Sequence, residues 1–138
     1  MAPRRLEPAP DDVRGSTVLV VDDERAWRTI LEIDLGHLGY RVTTAVDAAE
    51  AMDRVSSEEP DLAIIDLMLP EPVDGRELLR RLRTRGDTMP VVFYTARGDL
   101  ASITEIGPDQ PACFSKGADR ADLYAALPAL IRRAKPST

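Results

Sequence analysis

An α/β fold built on a five-stranded parallel sheet is what the sequence predicts, and three observations predict it. Short apolar runs alternate with amphipathic stretches along the chain, the rhythm of strand–helix units rather than of hairpins. The central run, Leu62-Ala63-Ile64-Ile65, continues past a single Asp66 into Leu67-Met68-Leu69-Pro70 and is apolar on both alternating faces, as a strand covered on both sides must be. Polar groups gather at the ends of the runs: Asp22 and Asp23, Asp66, Thr95 and Lys116. Right-handed crossovers bring all the strand ends to one edge of such a sheet, so these five residues converge there.

Taken in order, residues 1–15 carry several prolines and mixed charge without periodicity and read as a flexible N-terminal arm. The domain is expected over residues 16–134, with 135–138 as a short tail. Residues 17–21 are β-branched and apolar and form the first strand. The helix after it, 25–37, places Trp27, Ile30, Leu31, Leu35 and Leu38 on one stripe, and Gly39 stops it. His37, near its end, reads as a surface residue compensating the helix dipole. Residues 40–45 alternate as a second strand, and 48–57 form a helix with Ala49, Met52 and Val55 inward. After the central strand, 71–75 form a proline- and glycine-marked loop, and 76–85 a helix burying Leu78, Leu79 and Leu82. Residues 90–95 make the fourth strand. The stretch 97–111 is the least regular: residues 101–106 allow a helical turn or two before Gly107, Pro108 and Pro111 end it. Residues 112–115 form the fifth strand, and 121–134 the closing helix, with Leu123, Leu127, Leu130 and Ile131 inward and Pro128 within its span.

With 138 residues there is room for one domain, and a composition of 43% hydrophobic and 30% charged residues is that of a soluble globular protein. No run approaches the ~20 apolar residues that cross a bilayer, and no signal-peptide core is present, so a cytoplasmic location is expected. A net charge of -6 argues against nucleic acid or an anionic membrane as partner. One cysteine and one histidine exclude an intrachain disulfide, a cysteine-rich zinc site and a multi-histidine metal site.

The acids are therefore where chemistry is expected. An ionised Asp66 inside a buried strand would cost several kcal/mol without a partner, whereas the carboxyl end of a strand is where open α/β sheets bind ligands. Asp22-Asp23-Glu24 follows the first strand. One acid there would cap the next helix, but three suggest a cation site of hard oxygen donors, as Mg2+ prefers.

As an ordered set, Val-Leu-Val-Val-Asp-Asp-Glu at 18–24, Asp-Leu-Met-Leu-Pro at 66–70, Asp-Gly at 74–75, Thr-Ala at 95–96 and Lys116 resemble the receiver domain of bacterial two-component response regulators. The resemblance covers about residues 17–134. It implies a doubly wound, flavodoxin-like sheet in the order 2-1-3-4-5, with helices on both faces. It implies that Asp66 accepts a phosphoryl group from the phosphohistidine of a histidine kinase or phosphotransfer protein, assisted by Thr95 and Lys116. It also implies Mg2+ held by Asp22, Asp23, Asp66 and the main-chain carbonyl of Met68. The output would be binding to a downstream protein, and a homodimer is a further possibility; the domain would signal rather than act as an enzyme.

The chain departs from the family pattern in its switch region. Cys113 stands where an aromatic residue is usual, Gly117 where proline usually follows the lysine, and the stretch 97–111 lacks a clear helix. Without a ring on the fifth strand, phosphorylation is expected to act on the surface between Arg97 and Pro111 by ordering or shifting it. Two other functions compete: a degenerate receiver that binds partners without phosphorylation, and an aspartyl-phosphate phosphohydrolase of the haloacid-dehalogenase type. The latter expects a second Asp two residues beyond the nucleophile, where this chain has Met68.

Overall fold

The computed structural model describes residues 6–96 and 111–134. Five parallel strands, β1 (Thr17–Val21), β2 (Arg41–Ala45), β3 (Leu62–Ile65), β4 (Val91–Thr95) and β5 (Ala112–Ser115), lie in the order β2-β1-β3-β4-β5. Helices α1 (Arg25–Leu38), α2 (Ala48–Glu58), α3 (Gly75–Arg85) and α4 (Arg120–Ala134) cover it. The expected stretch of structure at 97–110 lies outside the described residues.

The sheet sorts its side chains by the two-residue period of a strand. Leu19, Val21, Ala63, Ile65 and Phe93 face one way and pack with Leu78, Leu79 and Leu82 of α3 and Val55 of α2. Val18, Val20, Leu62, Ile64, Val92 and Tyr94 face the other and pack with Leu31 and Leu35 of α1 and Leu123, Leu127 and Ile131 of α4. Both faces are thus buried, which explains why β1, β3 and β4 carry near-continuous apolar sequence.

Helix ends follow local chemistry. Gly39 ends α1 at φ 104°, a left-handed conformation that costs glycine no steric penalty. Asp47 and Asp74 cap α2 and α3, each accepting a hydrogen bond at 2.9 Å from the N–H three residues on, Glu50 and Glu77 respectively. Asp34 of α1 accepts bonds from Arg120 Nε (3.0 Å) and the Tyr124 hydroxyl (2.6 Å), pinning α4 to α1 on their shared face of the sheet.

Three expectations need correction. Residues 6–15 are packed onto the body instead of forming a free arm: Ala9 and Val13 are buried, the Ala9 N–H donates to the Leu38 carbonyl (2.7 Å), and Arg132 of α4 forks onto Asp12 at 2.6 and 2.8 Å. The central strand ends at Ile65, so Asp66 stands at its carboxyl end as expected, but the apolar residues 67–70 do not continue it and Met68 is exposed. In α2 the buried positions are Ala48, Ala51 and Val55, with Ala49 exposed and Met52 half-buried against the core. Among the described residues no helix is long and apolar enough to cross a membrane.

Candidate functional site

Backbone hydrogen bonds carry the sheet one step past its strands at the carboxyl edge. The Asp22 N–H donates to the Ala45 carbonyl (3.1 Å), the Asp66 N–H to Val21 (2.9 Å), and the Lys116 N–H to Thr95 (2.9 Å). Each reactive side chain is therefore held by the strand beside it, on rigid backbone.

The two buried carboxylates are bonded alike. One oxygen of each accepts from the N–H two residues on: Asp22 Oδ1 from Glu24 (2.9 Å) and Asp66 Oδ1 from Met68 (3.0 Å). The other oxygen of each accepts from the same ammonium, with Lys116 Nζ 2.7 Å from Asp22 Oδ2 and 2.9 Å from Asp66 Oδ2. These side chains are only 3%, 5% and 4% exposed for Asp22, Asp66 and Lys116, so water screens the group little. Arg28 adds a bond from Nη1 to the main-chain carbonyl of Asp22 (2.8 Å), tying α1 to the same turn.

Charge does not balance here. Two buried carboxylates share one ammonium, and the exposed Asp23 brings a third acid whose oxygen lies within 4.8 Å of those of Asp22 and Asp66. Burial raises the Asp22 pKa above its ordinary value, and the Asp66 charge adds to this against the bonds from Lys116 and Glu24. For Lys116 burial works to lower the pKa, but hydrogen bonds to Asp22 and Asp66 outweigh it and the net shift is upward. An excess of negative charge on hard oxygen donors, one of them open to solvent, fits a small divalent cation such as Mg2+.

The site residues named from the sequence mostly meet. Asp22, Asp23, Asp66 and Lys116 are together, and fully buried Thr95 ends the neighbouring strand with its carbonyl bonded to Lys116. Met68 adjoins them through its N–H.

Two residues visible in the sequence make contacts at the site that their positions along the chain do not show. A Cβ built on Gly75 would fall 2.4 Å from the Asp66 carbonyl oxygen and 2.8 Å from Leu67 Cα, so only glycine lets α3 start against the Asp66 turn. Its N–H donates to the Leu67 carbonyl at 3.0 Å. A glycine directly after a capping Asp was the available signal. Trp27, read from the sequence as part of a stripe and one helical turn beyond Asp23 but not as a partner of the lysine, has its ring centroid 5.1 Å from Lys116 Nζ.

The fifth strand alternates as expected. Cys113 packs with the Phe93 side of the sheet and Phe114 with the Tyr94 side. Burial pushes the Cys113 thiol up to about 11.

The sequence profile of the response regulator receiver domain matches residues 18–127. The chain belongs to that family. Response regulator MprA of Mycobacterium avium (strain 104) is 41% identical over 121 residues, which cover 86% of this chain and 52% of that protein. MprA of Mycolicibacterium vanbaalenii is 40% identical over the same extent. The chain thus spans about half the length of the curated relatives it matches. Among solved structures, the receiver domain of Francisella response regulator 1452 superposes with a TM-score of 0.79 at 25% identity, covering 88% of this chain and all of that one (100%). The BeF3-activated N-terminal receiver domain of Klebsiella pneumoniae RstA gives 0.76 at 27% identity, covering 85% and 99%. This receiver is accordingly a signalling domain of two-component systems, and the haloacid-dehalogenase alternative is set aside.

Proposed function

We propose that this receiver is a phosphoacceptor switch, phosphorylated on Asp66 by the phosphohistidine of a histidine kinase or phosphotransfer protein. The observation that carries the reading is the sharing of the buried Lys116 ammonium between Asp22 and Asp66 at 2.7 and 2.9 Å. Such an arrangement neutralises a carboxylate that must be approached by another anion.

In the transfer, an Asp66 oxygen forms the new O–P bond while the N–P bond of phosphohistidine breaks, and the electron pair leaves on the imidazole nitrogen. A carboxylate has no proton to lose in this step, so position and charge matter more than a base. The Met68 N–H on Oδ1 and Lys116 on Oδ2 fix the plane of the Asp66 carboxylate. Asp22, Asp23, Asp66 and the main-chain carbonyl of Met68 would hold Mg2+, which when bound neutralises charge on the attacking carboxylate and the phosphoryl oxygens. Lys116 then pairs with a phosphoryl oxygen, and the Thr95 hydroxyl donates to another.

The phosphoryl group carries about -1.5 to -2 of charge at neutral pH in place of the single charge of the Asp66 carboxylate, and presents three strong acceptor oxygens. A charge-assisted hydrogen bond from Thr95 contributes about 1.5 to 3 kcal/mol, enough to bias a two-state element toward a downstream protein partner or a second copy of the chain. Incubation with acetyl phosphate and Mg2+ tests the reading by intact mass. Gain of one phosphoryl group, absent in Asp66→Asn, supports it. Inertness favours the phosphorylation-independent interaction module instead.

A further inference from the structure

Lys116 is the cation on which the site turns, and two of its three N–H bonds go to Asp22 and Asp66. Its side chain is 4% exposed, so water does not solvate the remaining face of the ammonium. That face meets the indole of Trp27, 5.1 Å from ammonium nitrogen to ring centroid, within the range of a cation–π contact. The ring is itself held in place. It packs with Tyr94 in a T, with centroids 5.5 Å apart and planes at 88°, the arrangement in which one ring's positive edge meets the other's negative face. Tyr94 lies in β4 beside Thr95 and is 1% exposed, so this brace belongs to the rigid sheet.

Three elements that each carry part of the site therefore meet at one ring: the start of α1, the end of β4 and the turn after β5. We propose that Trp27 is a positioning residue for phosphoryl acceptance, holding the Lys116 ammonium at the mouth between Asp22 and Asp66 so that an incoming phosphoryl oxygen meets it in place. The inference rests on the phosphoacceptor reading of Asp66. It adds a residue that touches neither the phosphoryl group nor a metal. Without the ring, the ammonium keeps its two carboxylate bonds but loses the contact that fixes the third side, and Lys116 visits the productive position less often.

The chain has one tryptophan and two lysines, Lys116 and Lys135, which makes the test specific. Biosynthetic incorporation of tryptophan bearing one, two or three ring fluorines alters only Trp27, weakening the negative face of the ring at nearly constant shape. The rate of Asp66 phosphorylation by acetyl phosphate should fall stepwise with fluorine number at unchanged melting temperature. Trp27→Leu should lose roughly tenfold, with Trp27→Phe regaining most of it. In parallel, NMR of 13C-labelled lysine should show the Lys116 ε-methylene shifted upfield by the ring, the shift disappearing in Trp27→Leu. A rate indifferent to fluorination, or a Lys116 signal unmoved by Trp27→Leu, overturns the proposal. Failure of the unsubstituted protein to accept a phosphoryl group would overturn the phosphoacceptor reading, and with it the role of Trp27 in acceptance. A Lys116 signal still shifted by the ring would then show that only the contact survives.

Discussion

Gly75 and Asp66 approach so closely that a single added methyl cannot fit: a Cβ on Gly75 would lie 2.4 Å from the Asp66 carbonyl oxygen. Helix α3 thereby begins against the turn that carries the phosphoacceptor candidate. Gly75→Ala must push the helix or the turn aside, at about 1 to 3 kcal/mol for a clash in packed surroundings. Thermal melting should show a loss of several degrees, and phosphorylation by acetyl phosphate should slow because the Asp66 turn moves. An unchanged melting temperature would contradict the packing.

Lys116→Met leaves Asp22 and Asp66 buried without their shared cation. Removing one partner from a buried ionic group costs about 3 to 5 kcal/mol, so in Mg2+-free buffer the variant should be much less stable in denaturant titration. A divalent cation then has more charge to neutralise, and millimolar Mg2+ should raise the variant's melting temperature more than that of the unsubstituted protein. Equal stability without metal would mean the acids are neutralised some other way.

The N-terminal segment is predicted to contribute to stability. Val13 is 1% exposed and packs with the α1–α4 side of the core. Val13→Ala should cost about 1.5 to 3 kcal/mol in urea unfolding. A free arm would show no change.

Cys113 gives a pH-dependent prediction. Its thiol rises from an ordinary 9.0 to about 11 in the folded protein. Between those values the unfolded chain releases a proton that the native state keeps, so stability falls as pH rises through the window and is unaffected below it. Near pH 8 the thiolate fraction, and with it the rate of reaction with a disulfide reagent, should be about a hundredfold lower in the folded than in the unfolded chain. Similar rates in both would contradict the burial.

The parts of this structure that could be read from sequence are those where one residue type has one physical use. The apolar runs at β1, β3 and β4 are legible because both faces of the sheet are buried, and Asp22, Asp66 and Lys116 stand out because charge at the end of such a run needs a partner. Gly39 as the end of α1 is legible for the same reason. Ala9 and Val13 are isolated apolar residues among prolines and show no period, so their docking was hidden. The buried face of α2 was misplaced because alanines at 48, 49 and 51 give no contrast between faces. Gly75 needed the close approach of two elements to be known, and Trp27 the meeting of distant chain segments.

The phosphoacceptor reading places the phosphoryl group on Asp66 and on no other aspartate. After incubation with acetyl phosphate and Mg2+, borohydride reduction converts an aspartyl phosphate to homoserine, and peptide mass spectrometry locates it. Homoserine is expected at position 66, with none at 22 or 23 and none anywhere in Asp66→Asn. Homoserine at another aspartate, or an undiminished phosphoryl gain in Asp66→Asn, would contradict it.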